Sequence, residues 1–371
     1  MIIGWRADHQ DLAEVAAKFL AENSSSGRVR AVVESDAGVD RELDAAMAGL
    51  GWFGIEIPAE FGGAGASFAE LAVLLEVMGA HLASSGFLSS AVLCAGAVLV
   101  SGTDGQRRRW LPGLASGKTS GAIAVPRSCT SGGARVTAVP RSGGWRLSGT
   151  APFVLNAPDA DLFIVDADAP YGRFVLLIPA GSPGITITRR PAADGTRCLS
   201  EVGFTGVAIA DDNILASGAA ASSLLDTMVN RAAVALAADS AGLAARVLEM
   251  TTSYIGQREQ FGRPIGSFQA VKHRAADMLV ETEAVRGLTG HAAESVRCDP
   301  VAAGLAASMA KEYACATGVA VAGAGIQLHG GIGYTWEHDL HLYLKRAALN
   351  EALFGDGRWH RQRAAHALLE R

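Results

Sequence analysis

Cysteine, aromatic side chains and surplus positive charge are all scarce in this chain. Its five cysteines in 371 residues (Cys94, Cys129, Cys198, Cys298 and Cys315) are odd in number and widely scattered. That pattern excludes a disulfide framework and a cysteine-rich metal site, and suits a reducing, cytoplasmic setting. The formal charge is −5, whereas a nucleic-acid-binding protein needs a concentrated basic face. The richest apolar stretches are broken by Ser, Gly or charge before the ~20 residues that a membrane span requires. The opening MIIGWRADHQDL lacks a basic start followed by an apolar run, so no export signal is expected. The histidines His329, His338, His341 and His360 have no partner at metal-binding spacing, so each is read as structural or exposed and no metal site is expected.

What remains is abundant and apolar. Apolar residues make up 49% of the chain, enough to bury a sizeable core in two or three packed regions. From Asp8 to Leu114, apolar positions such as Leu12, Val15, Ala16 and Phe19 recur at three- and four-residue spacing, which predicts helices. The segment IPAEFGGAGAS (Ile57 to Ser67) reads as a loop between helical groups. No strand feeds its glycines, so it is no phosphate cradle. From Gly121 to Leu215 the text turns to short β-rich runs, with Ser142-Gly143-Gly144 as a hairpin turn between two of them. Strands without intervening helices predict an antiparallel sheet or small barrel. From Ser222 onward helices return, with Leu225, Val229, Ala232, Leu236 and Leu243 on one apolar face. The expected domains are residues 1–118 (helical), 119–218 (β) and 219–371 (helical bundle), an α+β multidomain chain.

One string carries more information than the rest. Arg258 to His273 reads REQFGRPIGSFQAVKH, with an arginine, two glutamines and a phenylalanine around a tight Gly-Arg-Pro turn. An arginine can hold a phosphate through its rigid fork of donors, and Gln260 and Gln269 can read hydroxyls or a purine edge. A helix–helix connection explains Gly262 to Ile265 and leaves the other residues unexplained. A second glycine-rich string, QLHGGIGY, spans Gln327 to Tyr334.

On these strings, and on LGWFGIEIPAEFGGAG (Leu50 to Gly65), the chain resembles the acyl-CoA dehydrogenases, FAD-dependent enzymes. The resemblance implies an N-terminal helical domain, a middle antiparallel β domain and a C-terminal four-helix bundle. It also implies that Arg258 contacts the FAD pyrophosphate and that Gln260 and Phe261 flank the adenosine. Ile265 and Phe268 would pack nearby, while Gln327, Gly330 and Gly331 would let backbone approach the cofactor. In the family each FAD lies across a subunit interface, its ring in one subunit and its ADP end on the neighbour's bundle.

The other half of the family's pattern is altered. Where a Thr-Glu-Pro motif is usual, AVPRSCTSGGA (Ala124 to Ala134) has Ala124, Val125 and an Arg127 in place of a small residue. The flavin-bonding Thr or Ser corresponds to Leu155 in Phe153-Val154-Leu155-Asn156, which costs an unpaired flavin atom roughly 1–3 kcal/mol. The family's catalytic Glu corresponds to Gly355, and the alternative base position, on the first bundle helix, to Ala232. Asp356 and Asp239 are the substitute carboxylates to weigh. Asp356 is shorter than Glu and displaced by one residue. Asp239 reads as solvated, capping or at an interface, and Glu351 as surface.

The resemblance therefore implies no catalytic residue in this chain. It fits a subunit of a heterotetrameric acyl-CoA dehydrogenase in which a homologous partner subunit carries the Glu and the two chains share FAD. Heteromers of this kind act on sterol side-chain acyl-CoA thioesters in steroid degradation, with electron-transfer flavoprotein or a similar carrier as acceptor. Two other readings stay open: a self-sufficient homo-oligomeric flavoenzyme using Asp356 or Asp239, and a non-catalytic scaffold.

Overall fold

The computed structural model describes residues 7–124, 135–142, 144–170 and 172–369. In chain order its N-terminal helices are α1 (Ala7–Asn23), α2 (Ser26–Glu34), α3 (Arg41–Gly49), α4 (Phe68–Ala80), α5 (Ala95–Ser101) and α6 (Asp104–Ala115). Strands β1 (Gly121–Ile123), β2 (Val136–Arg141), β3 (Gly144–Leu155), β4 (Leu162–Ala169), β5 (Gly172–Pro179), β6 (Ile185–Arg190), β7 (Leu199–Ile209) and β8 (Ile214–Ser217) follow. The C-terminal part holds α7 (Gly218–Gln257), α8 (Gln269–Cys298), α9 (Pro300–His329), α10 (Leu340–Ala352) and α11 (Gly357–Leu369). A two-residue ladder, β9 (Glu259–Gln260) and β10 (Arg263–Pro264), joins α7 to α8. Contacts divide the chain into two compact units, one of Met1–Ala31, Phe68–Ala83 and Ala233–Arg371, the other of Val32–Ser67 and Ser84–Ala232. No helix among the described residues is long and apolar enough to cross a membrane.

The first unit is helical. Its α4 is buried from Leu71 to Gly79 without a break, as befits a helix apolar on all sides. It crosses α7 with backbone nearly touching backbone. A Cβ on Gly79 would stand 2.0 Å from the Asp239 carbonyl oxygen, and one on Gly242 1.7 Å from that of Glu76. Two glycines facing two carbonyls thus fix the crossing. In α1 the inward face is His9, Ala13, Ala16 and Leu20, at helical spacing, and Val15 is exposed. The expected face, which included Val15, is therefore rotated. His9 accounts for the shift: it is buried and its Nε2 meets Glu70 Oε1 of α4 at 3.1 Å.

The second unit is built on an eight-stranded sheet of order β6-β7-β3-β2-β4-β5-β8, with β1 beside β4. Its core alternates along the strands, with Ala138, Leu147, Phe163, Val165, Leu176, Ile178, Val202 and Phe204 among the inward residues. The hairpin expected at Ser142–Gly144 joins β2 to β3, with Arg141 opposite Gly144; Gly143 itself lies outside the described residues. Most pairs are antiparallel, but β1 and β2 each run parallel to β4. Periodicity cannot reveal that, because a parallel neighbour is reached only through a long crossover.

The glycine crossing gives a direct test. Gly79→Ala and Gly242→Ala should each cost about 3 kcal/mol or more of unfolding free energy in chemical denaturation, the upper end of overpacking. Gly49→Ala, where a Cβ meets nothing within 4 Å, should leave stability unchanged or slightly raised. Equal behaviour of the three variants would contradict the steric account.

Candidate cofactor-binding face and base positions

The chain reverses immediately after α7. Gln260 pairs with Arg263 and Glu259 with Pro264, so the turn falls on Phe261 and Gly262. Both have positive φ, +52° and +73°. For phenylalanine this is a costly conformation, and its ring is 89% exposed. Phe268 meets the Phe261 ring edge-on at 6.1 Å, and the Arg263 guanidinium lies 4.2 Å over the Phe268 ring. The Ile265 amide donates to the Arg258 carbonyl at 2.8 Å and closes the loop. Ile265 and Phe268 are half-buried beneath it, while Arg258 and Gln260 are exposed. A strained, solvent-facing aromatic beside exposed guanidinium and amide donors fits the tail of a nucleotide diphosphate, which offers a purine face and anionic oxygens.

The second string starts on the last turn of α9. Gln327 is exposed, and His329 gives way to a 3₁₀ segment, Gly330–Tyr334. Gly330 has φ +65°, which favours glycine. A Cβ on Gly330 or Gly331 would meet nothing within 4 Å, so both open to free space on the chain's own surface. The crowded glycine is Gly333, whose Cβ would stand 2.8 Å from the Ile326 carbonyl oxygen and 2.9 Å from His329 Cβ. The two strings meet through their anchors: Tyr254, whose carbonyl accepts the Arg258 amide at 2.8 Å, stacks on His329 at 4.3 Å with 20° between planes.

The two positions expected from the resemblance to correspond to the base, 355 and 232, are built differently. Phe354 and Gly355 both have positive φ, +56° and +98°. A Cβ on Gly355 would stand 2.5 Å from Trp359 Cε3 and 3.1 Å from His360 Nε2. The buried Lys311 ammonium donates to the carbonyls of Glu351 and Gly355, each at 3.2 Å. His360, fully buried, lies 3.1 Å from the Phe354 carbonyl through Nε2. Lys311 and His360 thus hold a segment into which no carboxylate fits at position 355. Asp356 caps α11, its Oδ1 accepting the Trp359 amide at 2.8 Å.

Asp239 is neither solvated nor a cap. Sealed inside, it accepts from Arg346 (Nη2 to Oδ1, 2.7 Å) and from Asn350 (Nδ2 to Oδ2, 2.7 Å). The seven-residue spacing from Ala232 did not reveal this, because the partners lie a hundred positions downstream. Ala232 is fully buried. Beside it Arg231 pairs with Glu56 (Nη1 to Oε1, 2.9 Å) and donates through Nε to the Val92 carbonyl at 3.0 Å. Val92 lies in a π-helical turn, Leu88–Cys94, and Gly96 leaves room for the guanidinium, since a Cβ there would stand 2.5 Å from Arg231 Nε.

On the flavin-side segment, Leu155 is buried, with its backbone opposite Leu199 in the sheet. Asn156 turns the chain at φ +57° and its Nδ2 donates to Ser89 Oγ at 3.1 Å. Ala124 bridges to Val154, and the altered text from Val125 to Ala134, with Arg127 and Cys129, lies outside the described residues. A cavity of about 710 Å³ in the helical unit is lined by His81, Arg246, Glu249, Glu283 and Arg286 among others, and by none of the predicted site residues. Its charges are spent on one another, Arg246 on Glu249 and Arg286 on Glu76 and Glu283.

These features have a family context. The acyl-CoA dehydrogenase N-terminal domain matches residues 6–118 and the acyl-CoA dehydrogenase C-terminal domain residues 223–369. The chain belongs to the acyl-CoA dehydrogenase family, FAD-dependent oxidoreductases acting on the CH–CH bond of acyl-CoA. It is 32% identical over 342 residues to acyl-CoA dehydrogenase IpdE2 of Mycobacterium tuberculosis, covering 92% of this chain and 91% of that one. Among solved structures it is similar to the ChsE4-ChsE5 complex from Mycobacterium tuberculosis, with TM-score 0.91, 29% identity and coverage of 99% and 98%. A variant of the Tcur3481-Tcur3483 steroid ACAD gives TM-score 0.86 at 32% identity, covering 98% of each chain. Butyryl-CoA dehydrogenase from Megasphaera elsdenii shares the fold, with TM-score 0.88 at 24% identity.

The packed segment from Phe354 to His360 predicts a pH dependence. Burial, reinforced by Lys311, lowers the His360 pKa from 6.5 to about 3. The folded state therefore favours the neutral ring. That contribution to stability is full above about pH 6.5 and is lost as pH falls toward about 3, at up to about 1.4 kcal/mol per pH unit. His360→Gln keeps an N–H donor for the Phe354 carbonyl but cannot titrate. Its unfolding free energy should fall less steeply with acidification, by about one proton's worth. Identical slopes for the two proteins would contradict the assignment.

Proposed function

We propose that this chain is the companion subunit of a heteromeric acyl-CoA dehydrogenase. It offers the surface that grips the ADP half of FAD, and a homologous partner subunit supplies the catalytic Glu and the contacts to the flavin ring. The observation that carries this reading is the contrast between the two ends of the site. Arg258, Gln260, Phe261, Gln327, Gly330 and Gly331 stand exposed, on two strings joined by the Tyr254–His329 stack. The position of the base is a glycine at φ +98° with no room for a side chain.

Desaturation needs a carboxylate to take the α-proton and an acceptor for the β-hydride; bound FAD supplies the acceptor. In this reading Arg258 holds the pyrophosphate, and Phe261 and Gln260 hold the adenosine, with Ile265 and Phe268 supporting the turn. Gln327, Gly330 and Gly331 form the adjoining wall. The active thioester cleft belongs to the partner. The substrate class that suits the pairing is a bulky acyl-CoA such as a sterol side-chain thioester, supported by the steroid ACAD among its structural relatives. Electrons would leave to electron-transfer flavoprotein or a similar carrier, in the cytoplasm. A self-sufficient enzyme using Asp356 or Asp239 has less support, because the first carboxylate caps a helix and the second neutralises a buried arginine.

The test uses the chain co-expressed with a family member that keeps its Glu. Arg258→Ala should lower FAD retained through desalting by about tenfold or more, the loss of one or two charge-assisted hydrogen bonds. Asp356→Asn, in which asparagine still caps α11, should change turnover by no more than about threefold. Full flavin retention by the first variant, or a collapse of turnover in the second, would overturn the proposal.

A further inference from the structure

The proposed face is made of two strings that are distant in sequence, and one side chain joins them. His329 is buried between Tyr254, on the last turns of α7, and His338, in the loop before α10. Its Nδ1 lies 2.7 Å from the Gly325 carbonyl, which only an N–H can approach so closely. Nδ1 therefore carries the proton, and Nε2 is a bare acceptor, buried with no partner. On one side the ring stacks flat on Tyr254, one turn before Arg258. On the other the His338 ring stands 4.6 Å away, tilted by 58°. His329 Cβ also presses on the position where Gly333 must be glycine.

We propose that His329 is the positioning residue that sets the register of the Arg258 string against the Gln327–Tyr334 string, and so governs how tightly the nucleotide tail is held. This rests on reading those two strings as the ADP-binding face. The surroundings of Nε2 favour a neutral ring. A proton on Nε2 would place a second N–H in a buried pocket with no acceptor, one ring away from His338. The groups facing His329 are Tyr254 from α7, the Gly325 carbonyl of α9 and the His338 imidazole. His338 Nδ1 accepts the Leu340 amide at 3.3 Å, and its own electrostatic neighbours are Asp339, which favours its charged form, and Arg30, which opposes it. Among the described residues, no carboxylate stands with the groups that face His329 directly to offset its charge. Burial, opposed by the Gly325 carbonyl and aided by His338, lowers its pKa from 6.5. The neutral ring's contribution is thus complete above about pH 6.5 and declines below it.

The experiment measures FAD dissociation from the complex of this chain with a Glu-bearing family member, between about pH 8 and about pH 5.5. Wild type should bind FAD about two- to threefold more weakly at the acid end of that range than at about pH 8, as His329 takes up a proton. His329→Phe keeps a flat ring on Tyr254 and cannot take a proton, so its affinity should stay near the wild-type value at high pH and vary less with acidification. His329→Ala removes the stack and should bind FAD about tenfold more weakly at every pH, within the measured worth of an aromatic pair. If His329→Phe shows the same pH profile as wild type, or His329→Ala binds FAD normally while Arg258→Ala does not, the positioning role is wrong and the ADP-face reading survives. If Arg258→Ala and His329→Ala both bind FAD normally, the ADP-face reading itself is wrong.

Discussion

A carboxylate and a guanidinium sealed from water inside the helical unit determine where the rest of the site stands. Asp239 of α7 and Arg346 of α10 are both buried, and Asn350 and the Ala83 carbonyl take up further hydrogen-bonding capacity around them. Such a pair gains little over an apolar contact, but breaking it by removing one partner costs about 3–5 kcal/mol. It therefore tolerates little slippage between the two helices. The same turn of α7 presents the Asp239 carbonyl to Gly79 of α4, so charge and steric fit meet at one point. Three helices are registered there.

From that point the chain runs outward in two directions. Along α7 it reaches Tyr254, Arg258 and the strained turn at Phe261, where side chains are displayed to solvent. Along α10 it reaches Leu353 to Gly357, where Lys311 and His360 bind backbone carbonyls and close the segment. The proposed function assigns the family's two tasks, holding the nucleotide tail and removing a proton, to these two ends. The first end displays exposed side chains, and the second is closed by Lys311, Trp359 and His360. At the second end a glycine at positive φ packs against an indole and an imidazole.

Local text was the most legible. Helical periodicity and turn residues marked the helical and β-rich regions, and the REQFGRPIGSFQ string stood out by its composition; in the structure Arg258, Gln260 and Phe261 of that string are exposed just after α7. Long-range pairing was not. The parallel placement of β1 and β2 beside β4 follows from how the chain returns, and no alternation encodes it. Arg231 drew no attention in the sequence, since its partner Glu56 lies 175 residues away. Asp239 read as solvated for the same reason, its partners being on α10. His329 was read as structural or exposed; the ring stack that gives it a place depends on Tyr254 at the far end of α7. Gly330 and Gly331 were expected to admit close backbone approach, and the chain alone leaves both facing open space, while Gly333 is the crowded one.

The central claim is a site divided between two unlike chains, and flavin stoichiometry tests it most directly. This chain would be purified alone and with a Glu-bearing family member, and FAD counted per polypeptide by absorbance after denaturation. The account predicts a nearly colourless protein alone and about one FAD per pair of unlike chains in the complex, as one shared interface allows. About one FAD per polypeptide in the chain purified alone, bleached by an acyl-CoA, would contradict it.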